Sequence, residues 1–273
     1  MKHALIVVSL GLVFVLGTAL NPSRTYKQRP EKYNMPYTEH QVGTNDGKAS
    51  IKLWYFKAKT SSTELMLICH NGEGNMADYL RRVDQFRSIG YNVAIFDYRG
   101  FGESSEFAID NNMYIYPHFT DDVQSVIEYC SKNFAPSLHL YGWGMGAGLA
   151  LGVGYHQAQI KSIIADEPFL SMIDLEEKFA EWDEPMEVPF AGYAERHEPI
   201  HTLNYTSQKN LKGIKLIVGS NSLLISKSDM ERLQEKNEDL IDIYVVDNPD
   251  RIDNFRVNKT AYFGEINSFL RGL

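Results

Sequence analysis

The stretch whose residue types and spacing point to chemistry is Leu138-His139-Leu140-Tyr141-Gly142-Trp143-Gly144-Met145-Gly146-Ala147-Gly148. A short apolar run ends in a glycine-studded turn and passes into Leu149-Ala150-Leu151, a good helix former. The frame is G-x-S-x-G, a strained strand-to-helix turn on which a serine presents its hydroxyl to an acyl carbon. Gly142 and Gly146 are the flanking glycines, so the nucleophile position is Gly144. Glycine has no side chain and attacks nothing. The turn is present and its reactive atom is absent.

Chemistry on such a turn needs elements that hold it. Glu64 to Cys69, Asn92 to Phe96, Lys161 to Asp166, Ile214 to Val218 and Ile241 to Val246 are short apolar runs, as strands covered on both faces require. Ile51 to Phe56 is strand-like and follows a turn at Gly43 to Gly47, which predicts an antiparallel start. Helical spacing falls on Met76 to Ser88, on a segment capped by Thr120 and running to about Asn133, on a segment capped by Ser228 and on Thr260 to Leu270. Strands alternating with helices predict a mainly parallel sheet with helices on both faces, about eight strands in all. Residues 167 to 207 show no long periodic run and are expected to form a small cap. His70, Asp97, Gly144, Asp166 and Ser222 all fall at the carboxyl ends of strands, where ligands of such sheets bind.

Two further motifs accompany the turn. They are His70-Asn71-Gly72-Glu73-Gly74-Asn75 and Asp97-Tyr98-Arg99-Gly100-Phe101-Gly102-Glu103-Ser104. Together, in this order and at strand-sized spacing, the three motifs resemble the α/β-hydrolase superfamily, closest to its serine aminopeptidase-like and prolyl-oligopeptidase-like branch. The resemblance covers about Gln41 to Leu270. It implies the α/β-hydrolase fold, and a nucleophile, acid and histidine in that chain order. The nucleophile position holds Gly144. The acid position, in the turn Gly219-Ser220-Asn221-Ser222, holds Ser222. The histidine is expected after the last strand, yet the last histidine of the chain is His201. The triad is therefore expected to be degenerate.

The same resemblance implies oxyanion donors at Asn71 and Met145, with His70 and Trp143 beside them in a binding pocket. Backbone N–H groups do not depend on side chains, so such donors outlast the serine. Asn71 stands where the family usually has glycine. Cys69 and His70 are neighbours at a strand end and point to opposite faces, which disfavours a replacement pair. His197-Glu198-Pro199-Ile200-His201 has the spacing for two metal-binding rings on one helix face, but Pro199 disfavours that helix, so no metal is expected.

Composition narrows the function classes. A net charge of -8 and the absence of a basic run disfavour nucleic-acid binding. Two cysteines, Cys69 and Cys130, make no disulfide framework, though a single bridge between them is open. Lys2 and His3 precede an uncharged run from Ala4 to Leu20, which reads as a signal peptide or N-terminal anchor over 1–20. A linker is expected over 21–40, and the hydrolase domain over 41–273 with its cap at about 167–207. The location implied is exported: periplasmic, secreted or anchored through residues 4–20.

The expected function is that of a hydrolase-fold protein without serine-hydrolase catalysis and without a cofactor. It would bind a small apolar or carboxylate ligand or a protein partner. The alternative is an active esterase or peptidase-like hydrolase with a non-standard site. The cap's acidic residues, Glu176, Glu177, Glu181, Asp183, Glu184 and Glu187, suit either a solvated face or a basic partner.

Overall fold

The computed structural model describes residues 20–182, 185–251 and 253–273. Its main sheet has eight strands: β2 (Thr38–Gly43), β3 (Ser50–Phe56), β4 (Leu65–Cys69), β6 (Asn92–Phe96), β7 (Leu138–Trp143), β8 (Ile160–Asp166), β9 (Gly213–Gly219) and β10 (Ile241–Val246). Their order across the sheet is β10-β9-β8-β7-β4-β6-β3-β2. From β6 to β10 every pairing is parallel, while β2 and β3 run antiparallel. A second, two-stranded sheet pairs β1 (Asn21–Pro22) with β5 (Glu73–Gly74). This is the α/β-hydrolase fold, as the alternation of runs predicts.

The strands sort their side chains by parity, because successive residues face opposite sides of a sheet. Leu65, Leu67 and Cys69 enter one core, and Met66 and Ile68 enter the other. The first core receives α2 (His118–Asn133), α3 (Met145–Gly154), α4 (Met172–Phe179) and α6 (Lys227–Gln234) through residues such as Val123, Leu149, Leu175 and Met230. The second receives α1 (Leu80–Ser88) and α8 (Lys259–Arg271) through Val83, Phe86, Phe263 and Ile266. Both cysteines are free and buried.

Local differences from the sequence reading have local causes. The helix expected from Met76 opens as a 3-10 turn, because Asn75 and Asp78 form a capping box there. The helix expected from a Ser228 cap starts earlier, since Ser226 and Asp229 make the box. In the cap region, α4 begins on the Ser171 hydroxyl, and α5 (Pro199–Thr202) begins with proline.

The expectation of membrane attachment through residues 4–20 is corrected: among the described residues, no helix is long and apolar enough to cross a membrane. The anchored location rested on the same stretch and is corrected with it. Residues 1–19 lie outside the described residues, as do Asp183 and Glu184 of the acidic cap series. Leu20, the end of the apolar run, is buried within the domain, with its side chain against Gly72.

Residues 21–40 are tied to the domain. Asn21 N–H donates to Gly72 O at 2.9 Å and Ser23 N–H to Gly74 O at 2.8 Å. Asn75 Nδ2 donates to Ser23 O and Thr25 O. The Tyr26 hydroxyl donates to Asp97 Oδ2 at 2.6 Å, and Met76 N–H to Asp97 Oδ1 at 2.7 Å. His70 Nε2 lies 3.7 Å from the same carboxylate, beyond hydrogen-bond reach, and burial holds its imidazole down to about 3, so no ion pair forms.

Burial pushes the Asp97 carboxyl up to about 7, against about 4 for an exposed aspartate. Between those values the folded protein holds a proton there that the unfolded chain releases, so this group costs stability as pH rises through the window. Asp97→Asn removes that cost. Urea midpoints measured near pH 4 and near pH 8 should show wild type losing stability relative to Asp97→Asn as pH rises. A gap that stays constant with pH would refute the assignment.

Candidate functional site

The site is built where β7 turns into α3. Gly144 takes φ 56 and ψ -124 between them. Its N–H donates to Asp166 O at 2.8 Å, and its carbonyl accepts from Ala147 N–H. A Cβ on Gly142 would lie 2.2 Å from Gly146 O, and one on Gly146 would lie 2.3 Å from Cys69 O. No side chain fits at either position, because the backbones of β7, α3 and β4 touch there. Gly144 differs: a Cβ would meet only Asn71 Cβ, at 3.3 Å.

The Asn71 N–H expected as an oxyanion donor is taken by the Tyr79 hydroxyl at 3.0 Å, which leaves the Met145 N–H and the Asn71 side chain near that space. Met145 opens α3, so its N–H has no acceptor within the helix and sits at the positive end of the helix dipole. Asn71 is only 3% exposed. Its Oδ1 accepts from the Tyr79 hydroxyl at 2.7 Å and from Glu73 N–H at 3.1 Å. Its Nδ2 is buried without a hydrogen-bond partner among the described residues. A buried donor left unpaired costs roughly 1–3 kcal/mol, which a ligand oxygen would recover. Met145 itself is buried in the core.

His70 is placed elsewhere. It is fully buried against Tyr98 and Phe101, with Nδ1 accepting from Gly72 N–H at 3.2 Å, and it does not line the open space. Trp143 does line it, and the Arg82 guanidinium lies 5.0 Å from its ring. On the cap side of the elbow Phe169 is fully buried on α3, where a Cβ at Gly148 would strike its ring. The open cleft, of about 1350 Å³, lies on the Trp143 side of the elbow. Its walls include Asn71, Arg82, Gly144, Glu167, Ser222 and Asp253.

Beyond the last strand, Asp253 comes in where a histidine was sought. Asp253 pairs with Arg82, and both are nearly buried. The guanidinium also lies over Tyr79 and Phe255, 5.1 and 4.6 Å from their ring centroids. Arg82 Nε donates to the Tyr141 hydroxyl at 2.9 Å. Tyr141 bonds the Tyr262 hydroxyl, which donates to Asp166 Oδ2 at 2.6 Å. Asn254, opening α7 (Asn254–Val257), donates from Nδ2 to Asp166 Oδ1 at 2.8 Å and to Glu167 Oε1 at 3.1 Å. The Ser222 hydroxyl donates to Glu167 Oε2. Burial, with the Glu167 charge next to it, pushes Asp166 up to about 7.

Sequence reasoning missed Arg82, Glu167, Asp253 and Asn254. Glu167 carries the clearest signal, a carboxylate directly after a strand end. A Ser162–His139–Glu64 line, with His139 Nδ1 at 2.7 Å from Ser162 Oγ and Nε2 at 2.9 Å from Glu64 Oε2, looks like a relay. It lies at the amino ends of β7 and β8, away from the elbow, and Ser162 and His139 are buried. It is a polar anchor between strands. Among the described residues, no group of three His, Cys, Asp or Glu is placed to hold a metal ion. Glu176, Glu177, Glu181 and Glu187 are exposed.

Comparison with known proteins fits this geometry. A family model described as serine aminopeptidase matches residues 60–193. An uncharacterized membrane protein of Saccharomyces cerevisiae is 26% identical over 155 residues, covering 55% of this chain and 52% of that protein. The uncharacterized protein YqkD of Bacillus subtilis is 24% identical over 236 residues, covering 79% of this chain and 74% of that one. Thus the chain spans about half the length of the yeast relative. The esterase Pf2001 of Pyrococcus furiosus superposes with a TM-score of 0.73 at 19% identity, covering 93% of this chain and 97% of the esterase.

The Arg82–Asp253 pair should be costly to break from one side. Arg82→Met leaves a buried carboxylate alone and should lower unfolding stability by about 3–5 kcal/mol. In a double-mutant cycle with Asp253→Asn, the two losses should fall well short of adding. Additive losses measured by urea denaturation would show that the pair is not coupled.

Proposed function

We propose that this chain of α/β-hydrolase fold has left the elbow-serine chemistry of the proteins it resembles and binds the carbonyl or carboxylate group of a small ligand at the elbow. Gly144 has no nucleophile, Ser222 takes the acid position, and no histidine follows His201. The observation that carries the reading is the unpaired, buried Nδ2 of Asn71, whose Cβ is the atom a side chain at Gly144 would meet. With the Met145 N–H it forms a two-donor seat for an oxygen. The polar walls of the cleft favour a short carboxylate over a long apolar chain.

A second reading is favoured by one specific observation. The Ser222 hydroxyl and the Glu167 carboxylate are hydrogen-bonded on the same cleft wall. That pairing supports an esterase or peptidase-like hydrolase with a non-standard site, in keeping with the esterase and peptidase likenesses above.

Two measurements test the binding reading. Short fatty acids such as acetate and butyrate should raise the melting temperature of wild type. They should not raise that of Asn71→Asp, which keeps the acceptor and replaces the donor. Equal shifts in both proteins would refute the seat. Gly144→Ser sets a Cβ 3.3 Å from Asn71 Cβ on a strained backbone and gains no base, so it should hydrolyse nitrophenyl esters no faster than wild type. A large gain would mean that a base already faces the elbow and that serine chemistry there was never dismantled.

A further inference from the structure

Glu167 holds a backbone conformation that a non-glycine residue rarely takes, with φ 57. Such strain persists only where the surroundings fix it, and it gathers at functional sites. The surroundings here are specific. Glu167 N–H donates to Ile217 O at 2.9 Å. Oε1 accepts from Gly219 N–H at 2.8 Å and from Asn254 Nδ2 at 3.1 Å. Oε2 accepts the Ser222 hydroxyl. One oxygen is thus anchored by two N–H donors while the other faces a hydroxyl, and both side chains open onto the cleft that contains Gly144 and Asn71. The elbow is one residue away, since Gly144 N–H donates to Asp166 O at 2.8 Å.

We propose that Ser222 is a relocated nucleophile and Glu167 its general base, acting on a small carboxylic ester whose carbonyl oxygen is held at the elbow by Asn71 and Met145. This inference rests on the second reading above, that of a hydrolase with a non-standard site. Ser222 Oγ attacks the ester carbon as its proton passes to Glu167 Oε2. The carbonyl oxygen becomes an oxyanion facing Asn71 Nδ2 and the Met145 N–H. Collapse breaks the bond to the leaving alcohol, which takes the proton from Glu167. Water then attacks the acylated Ser222 and gives a proton to Glu167, which returns it to Ser222 as the carboxylic acid leaves. No oxidant, metal or cofactor enters the balance. Burial raises the Glu167 carboxyl above the usual range, which makes its ionised form a stronger base. Asn254 is a positioning residue here, because it holds Glu167 and touches no substrate.

The test uses the whole chain with a fluorophosphonate probe and nitrophenyl acetate. Peptide mapping of labelled wild type should place the adduct on Ser222. Ser222→Ala should lose labelling, and Glu167→Gln should lower both labelling and ester turnover by about 10²–10⁴-fold. Melting profiles establish that each variant is folded, and mapping of wild type needs no variant. Ser88→Ala, exposed on α1, should label like wild type. An adduct on another serine would overturn the assignment of Ser222 and leave the hydrolase reading standing. Neither labelling nor turnover in wild type would overturn both, and the carboxylate-binding reading would then stand or fall on the melting shifts alone.

Discussion

Three backbones meet at the elbow without a side chain between them. Gly142 and Gly146 are the condition for that contact, because a Cβ at either position would drive into main-chain atoms. The contact fixes the exit angle of α3 from β7 and aims the Met145 N–H away from the strand. It also brings Asn71, on the turn after β4, beside Gly144. The proposed oxygen seat would therefore be a by-product of packing that the fold needs in any case. This separates the two roles of the motif. Its glycines serve the fold, its serine served chemistry, and the second can go while the first stays.

Gly144 and Ser222 stand at the elbow and in the turn after β9, and neither carries a charge. Carboxylates are among the charged groups gathered around the elbow. Asp166 ends β8 and Glu167 follows it, and Asp253 approaches from beyond β10. Arg82 pairs with Asp253, while Asp166 and Glu167 are satisfied by neutral donors from Tyr262, Asn254, Gly219 and Ser222. Burial is the main reason that the Asp166 and Glu167 carboxyls sit above their ordinary range, and neighbouring negative charges add to it. A buried ion pair seldom repays its desolvation, so Arg82 is better understood as a positioning device. Three aromatic rings and two hydrogen-bonded partners hold the guanidinium, and it in turn holds Trp143 against the cleft wall.

Most of the fold was legible because its signals are local. The runs at Leu65 to Cys69 and Asn92 to Phe96 are too apolar for anything but strands covered on both faces, and Gly142 and Gly146 announce the turn. The site was legible only where a position in a motif stands for a place in space, as at Gly144 and Asn71. Arg82 is an ordinary helix arginine in sequence, yet it ends nearly buried among rings from three separate segments. The partnership of Glu167 with Ser222 joins residues far apart in the chain, and nothing local marks it. His70 misled for the opposite reason. Its place in the motif is as expected, but Tyr98 and Phe101 enclose it, so it supports the loop from beneath.

The N-terminal segment shows how tertiary context overrides composition, and it bears on what the site can hold. Residues 21–40 have the prolines and polar side chains of a linker, but β1 pairs with β5 on the turn that carries Asn71, and Leu20 packs beside Gly72 and Met145. From the cap side, Phe169, Tyr114 and Tyr193 fill the rest of that space. The apolar side of the elbow, where a long acyl chain would lie, is thus taken up by the protein itself. What stays open is the face bounded by Asn71, Trp143, Arg82 and Ser222, where donors and charges outnumber apolar surfaces. A ligand entering there meets hydrogen-bonding groups before it meets hydrocarbon. On the hydrolase reading proposed above, the side of the elbow that the chain has closed would favour small polar acyl groups.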